Sequence, residues 1–252
     1  MNLFKFTIAS ILAISSIAFI QTPSAFADTG KVAGNTTGKV NFSQDIAPVK
    51  PLDPKSPNTD KPITPLDPSE AKGTAGPLSI DYVSDFHFGD QVIATDDKTY
   101  DVELDEIKTA EGAVEKRAAF VQVTDTRGSN QGWALQVQQQ TTFSAGADQE
   151  LKGTYLRLSN PVITTTANNQ SAKPKFTKET TILKPGKDGV AGDAQTIFLA
   201  DKNTGMATWI QSFGDETTGS SSIQLYVPGV SVKLKGTTYS AILNWILLDA
   251  PI

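Results

Sequence analysis

The sequence predicts an all-β, β-sandwich-like fold with long loops and a proline-rich N-terminal arm, on three observations. Apolar and polar residues alternate with a period of two through most of the chain after Gly76, with turn residues between the runs, which is the pattern of half-buried strands. No stretch sustains a capped 3.6-residue apolar period, and nothing resembles an alternation of strands and crossover helices, which leaves sheet-on-sheet packing. Finally, the tripeptide Trp-x-Leu occurs twice, as Trp133-Ala134-Leu135 and Trp245-Ile246-Leu247, and holds two of the three tryptophans. Residues two apart point to nearly opposite sides of a helix but share one face of a strand, so each motif reads as a strand with an aromatic-aliphatic stripe.

In chain order, residues 1–27 read as a secretory signal: Lys5, an apolar run from Phe6 to Ile20, and Ala25-Phe26-Ala27 as cleavage site. The run is shorter than the roughly 18 residues of a membrane span, so removal is expected. Residues 28–75 form the polar and proline-rich arm. Within it, Gly38-Lys39-Val40-Asn41-Phe42 is expected as an edge strand. Seven of the 14 prolines lie between Pro48 and Pro68, spaced largely by threes as in polyproline II; a solvated strap lying against the domain is expected in preference to a free spacer or a ligand for an aromatic groove.

The domain proper is expected over 76–252. Its strands are expected at 78–84, 91–95, 99–107, 118–124, 132–143, 151–158, 195–200, 206–213, 222–227 and 238–248, with 108–118 as the best helical candidate and 164–192 as long surface loops. Thr126-Arg127-Gly128 and Asn203-Thr204-Gly205 read as hairpin turns. The terminal strand is apolar on both faces, which places it inside the fold and makes Trp245 a core residue. Trp and Leu alternating on one strand face read as core at both motifs; of the two, Trp133, backed by Gln136, Gln138 and Gln140, is in a one-sided strand and better placed for a surface-adjacent role.

Composition narrows the function. The chain has no cysteine, so disulfides, thiolate catalysis and thiolate metal sites are excluded. No second apolar stretch of spanning length occurs, so no direct membrane insertion is expected. Net charge is −5; loss of Lys5 with the signal leaves 21 basic against 27 acidic residues, or −6. An acidic protein is unsuited to nucleic acid, anionic lipid or simple electrostatic adhesion to anionic polymers. The sequence ends at Ile252 with no sortase signal, so the exported protein is expected either to diffuse away or to be held at the surface by non-covalent contacts.

Catalytic signatures are weak. His87 is the sole histidine and reads as solvent-exposed; no Gly-x-Ser-x-Gly motif is present. Carboxylate pairs such as Asp105-Glu106 are available to a glycosidase, but nothing selects them, and no enzyme is expected. The acidic sets Asp81, Asp85, Asp90 and Asp96, Asp97, Asp101 fit no calcium repeat and read as solvated edges or turn caps. No catalytic residue, metal or cofactor is assigned.

The ordered set Gly76-Pro77-Leu78-Ser79-Ile80-Asp81, Phe88-Gly89, Val123-Thr124-Asp125-x-Arg127-Gly128, Gly132-Trp133-x-Leu135, Gly205-x-x-Thr208-Trp209, Val227-Pro228-Gly229 and Leu243-x-Trp245-x-Leu247-x-Asp249-Ala250-Pro251 resembles the WxL family of surface proteins of low-GC Gram-positive bacteria. The resemblance implies a WxL domain that binds peptidoglycan non-covalently and works with membrane-anchored WxL-interacting partner proteins. It marks Trp133, Leu135, Trp245 and Leu247 as wall-binding, partner-binding or structural motif residues, and Asp125, Arg127, Gly128 and Trp209 as further family motif. Larger members carry the domain behind an adhesive region, which this sequence lacks, so a subunit role is expected. The alternatives are a polysaccharide-active enzyme and a host-matrix adhesin.

Overall fold

The computed structural model describes residues 37–67, 73–146, 149–186 and 190–252. The expected signal at 1–27, residues 28–36 of the arm and Pro68 lie outside the described residues. The chain divides into two compact units, Met1–Phe42 and Ser43–Ile252. In the first, residues 37–42 form no strand; Val40 and Phe42 are 75% and 92% exposed, so the edge strand expected at Gly38–Phe42 does not form. A strand this short is held by its ladder, and these residues make none.

The second unit contains strands β1 (Thr64–Pro65), β2 (Leu78–Val83), β3 (Lys98–Asp101), β4 (Asp105–Lys108), β5 (Val114–Arg117), β6 (Phe120–Asp125), β7 (Trp133–Gln139), β8 (Tyr155–Ser159), β9 (Pro161–Thr165), β10 (Lys175–Phe176), β11 (Thr180–Leu183), β12 (Gln195–Ala200), β13 (Ala207–Phe213), β14 (Ile223–Val227) and β15 (Leu243–Leu248), with a single turn of helix, α1 (Gly219–Ser222). The fold is all-β, as the alternation predicts. All named pairs are antiparallel. They form four sheets in a propeller-like arrangement rather than the two facing layers of a sandwich: β1-β4-β5, β2-β6-β13-β9, β11-β8-β14-β3 and β10-β12-β7-β15.

The reason lies in sheet β2-β6-β13-β9, whose two faces are both covered. Along β6, Val121 and Val123 join the main core, which also takes Trp133 and Leu135 from β7 and Leu156, Leu158 and Leu225 from the β8/β14 sheet. The alternate residues Phe120, Gln122 and Thr124 are equally buried, facing a second core made by Leu52, Ile63, Tyr82, Ile107 and Ile210. Two of these, Leu52 and Ile63, come from the proline-rich arm. The polar residues that alternation assigns to water instead satisfy that arm and one another. Gln122 Oε1 accepts from the Leu52 amide at 2.8 Å, and its Nε2 donates to the Lys50 carbonyl at 3.1 Å and to Asp81 at 2.9 Å. Prolines have no amide to pair into a sheet, so side chains beneath the arm serve its remaining backbone groups. Arg117 fastens the same arm with two 2.7 Å hydrogen bonds to Asp53; burial pushes the Asp53 carboxyl up, but the Arg117 and Lys55 hydrogen bonds outweigh it and hold it below its ordinary range.

Several local expectations are corrected. Residues 91–95 form no strand and are largely exposed. The 99–107 run is two strands, β3 and β4, and 108–118 is a hairpin of β4 with β5 rather than a helix. The hairpin reverses through Gly112 at φ +91°, a backbone that glycine adopts without penalty. The 164–192 region carries β10 and β11 as well as loops. The turns at 126–128 and 203–205 are real, but neither closes a hairpin. Both carry the chain between the β6/β13 sheet and the β7/β12 sheet. Finally, β15 is the edge of its sheet, not an interior strand, and all six of its residues are half-buried.

Candidate functional site

The two Trp-x-Leu motifs are cross-strand neighbours. β15 pairs with β7 so that Leu247 opposes Leu135 and Trp245 opposes Val137. Side chains opposite each other on one face of an antiparallel pair pack directly, and both stripes meet the main core. Their surroundings differ. Trp133 and Leu135 are 0% exposed. Trp133 stacks edge-on against Phe198 at 4.8 Å between centroids, and its Nε1 donates to the Gly205 carbonyl at 2.9 Å. Gly205 holds φ +73°, and a Cβ there would meet the Trp133 ring nitrogen at 2.9 Å. Trp245 and Leu247 are only partly buried against the same core. Trp133 is interior, as the Trp-Leu alternation predicts, whereas Trp245, also expected inside the fold, lies at the margin, because β7 has strands on both sides and β15 on one.

The Asp125-x-Arg127-Gly128 motif locks this pair together. Arg127 Nε and Nη2 grip Asp125 at 3.0 and 2.8 Å. The same guanidinium donates to the Gly132 carbonyl at 2.6 Å and to the Asp249 carbonyl at 2.7 Å. One planar, permanently charged fork therefore holds the residue that precedes Trp133 and the residue that follows β15. Gly128 takes φ +69° and completes the turn. Trp209 is buried in the main core with its Nε1 donating to the Met206 carbonyl at 2.7 Å. Arg127 thus bridges the ends of β7 and β15, while Trp209 sits in β13 of the neighbouring sheet.

Beside the exposed side of this sheet lies a cavity of about 1580 Å³. One wall is the 84–93 segment, the other the 233–241 loop, and Leu243 to Ile246 of β15 line it as well. Its aromatic lining includes Phe86, Phe88, Tyr100, Tyr239 and Trp245. Phe86 and Phe88 are anchored edge-on against Phe213 and Phe143 at 6.3 and 6.2 Å. Aromatic and aliphatic side chains share this lining with many polar and charged ones, and a concavity of this size with convergent polar groups is a candidate ligand site. The sequence reading found Trp245 but missed the rest of the cleft. The signal was present in Phe86-His87-Phe88 and in Leu234 and Tyr239, apolar residues that belong to no strand yet line the cleft.

Charge in the cleft is divided between its walls. Asp85, Asp90 and Glu103 lie on the side of the 84–93 segment, Lys233 and Lys235 on the loop. Lys233 Nζ donates to the carbonyls of Pro228 and Ser231 at 2.9 and 3.0 Å. His87, an exposed residue, pairs with Asp67; burial lowers its proton affinity, but the Asp67 hydrogen bond and the neighbouring carboxylates raise it overall. Behind Ser84, the half-buried Asp105 accepts that hydroxyl's hydrogen bond at 2.5 Å, and burial pushes its carboxyl up to about 6. The acidic sets serve locally: Asp81 accepts from Ser79, Gln122 and Thr124, and Asp97 accepts from the Tyr226 hydroxyl and the Gly229 amide.

Among the described residues, no helix is long and apolar enough to cross a membrane. A family model for the WxL domain, described as surface cell wall-binding, matches residues 29–251. No curated protein and no solved structure matches the chain.

Proposed function

The chain belongs to the WxL family of surface cell wall-binding domains, and from that premise we propose that it is a non-catalytic protein held non-covalently on peptidoglycan through the cleft beside β15. We further propose that the same region docks partner surface proteins, a membrane-anchored WxL-interacting protein among them. The observation that carries the reading is Trp245, the motif tryptophan that is half-buried and lines the cleft with Phe86, Phe88 and Tyr239. An aromatic ring with one face on the core and one on a cavity is rigid, and it costs little entropy to fix against a ligand. The aliphatic margin offers apolar area to a protein partner: Val92 and Val230 are 87% and 92% exposed, and clustered exposure of this kind marks interaction surfaces.

The test is Trp245→Ala, measured for pull-down on purified peptidoglycan and for thermal unfolding together. The expected outcome is a folded protein whose wall binding falls at least about tenfold. A folded variant that binds fully would overturn the cleft as the wall site. Release of reducing sugars from purified wall, abolished by a carboxylate substitution, would overturn the non-catalytic reading.

A further inference from the structure

Resting on the wall-binding reading, we infer that the cleft recognises the short peptide of the wall polymer rather than its sugar backbone. Peptidoglycan offers two chemistries: uncharged ring sugars, and short peptides that carry amino groups, carboxylates and small apolar side chains. The cleft is built for the second.

Its two walls have opposite charge, with Asp90 and Glu103 on one and Lys233 and Lys235 on the other. A neutral sugar chain gains nothing from that separation, whereas an extended peptide with an ammonium and a carboxylate is complementary to both walls at once. β15 adds a second match. It is an edge strand, and its residues 243–246 line the cleft. Such an edge carries backbone N–H and C=O groups able to pair with an extended chain, which is how peptides are captured by β-augmentation. The apolar lining from Val92, Ile93 and Leu234, all exposed, suits methyl-sized side chains. An internal strand of a partner protein would satisfy the edge but would bring no free terminal charges to the walls.

Titration calorimetry of the full chain with three soluble probes tests this: an uncharged glycan chain of N-acetylglucosamine, free peptides released from the wall by an amidase, and intact disaccharide-peptides. The free peptide is expected to bind within about tenfold of the intact fragment, and the glycan about a hundredfold more weakly. Lys235→Glu and Asp90→Lys, both at exposed positions, are expected to weaken the peptide about tenfold each with unfolding temperatures unchanged. Glycan that binds as well as the intact fragment, charge-reversed variants that bind the peptide unchanged, or a partner strand that binds the cleft where the peptide does not, would each overturn the inference. If intact wall binds while the peptide does not, only this inference falls; if intact wall fails to bind, the wall-binding reading falls with it.

Discussion

The same tripeptide occupies two environments in this protein, on adjacent strands of one sheet. Trp133 is sealed between β12 and β15, edge-stacked on Phe198 and hydrogen-bonded to Gly205. Trp245, with β7 on one side of its strand, borders the cleft. Around Trp133, the indole and the Arg127–Asp125 pair have their partners, and glycines fit where a Cβ would collide: one at Gly132 would lie 2.2 Å from the Ala200 carbonyl. Around Trp245, aromatic rings are partly exposed and carboxylates gather along the cleft, with Asp105, its proton affinity raised by burial, one layer behind at Ser84. The first region is arranged for stability. The second keeps apolar and ionisable groups where a ligand can reach them, an arrangement that costs stability.

Three substitutions, with the Trp245 variant, sharpen this contrast. The largest loss is expected for Trp133→Ala, about 3–5 kcal/mol for the cavity, with the Gly205 carbonyl also left without its donor. Chemical denaturation should show wall binding disappearing only with the fold; a folded, non-binding Trp133→Ala would erase the distinction between the motifs. Arg127→Ala leaves Asp125 buried without its cation, and about 3 kcal/mol of destabilisation is expected. Because the clamp reaches Gly132 and Asp249, hydrogen exchange should rise in both β7 and β15; a rise in one strand alone would show that they are not clamped together.

Asp105→Asn probes the other region, and its effect has the opposite sign. The folded-state pKa of Asp105, about 6, lies above its ordinary value of 3.8. Its stabilising contribution is therefore complete below pH 3.8 and is lost as pH rises through about 6, a fall of about 2 kcal/mol after allowance for partial exposure. The Asn variant should be more stable than the parent at pH 7 by about that amount, nearly equal at pH 3.5, and flat between pH 4 and 6. A parent whose urea midpoint does not fall across that window would remove the argument. Trp245→Ala has the smallest expected effect on stability, about 1–2 kcal/mol, since the ring is only partly withdrawn from water. Equal destabilisation by Trp245→Ala and Trp133→Ala would end the comparison.

Much of this was legible along the chain. Alternation located β2, β6, β12, β13 and β14 within a residue or two, since a buried face imposes a period of two on any strand. Both Trp-x-Leu motifs read as strands, and both lie in strands, β7 and β15. The stretch 108–118, the best helical candidate, is instead the turn and second strand of a hairpin: its charged residues suit helix propensity, but Gly112 takes a left-handed backbone and reverses the chain. The interior placement of β15 failed because a strand apolar on both faces can be covered on one face by the core and bordered on the other by a cleft.

What the sequence determined by itself is the local code: an all-β chain, the proline spacing of the arm, the Trp-x-Leu stripes and the family motifs. These depend on residues near one another along the chain. Tertiary structure alone decided that the arm roofs the polar face of the β6/β13 sheet, that Arg127 joins Gly132 to Asp249, and that segments 84–93 and 233–241 enclose one cleft. Each of those facts joins groups from about seventy to well over a hundred residues apart. Which polar face is covered, and which strand is left at an edge, depends on how distant sheets close around shared cores, and no local period records that choice.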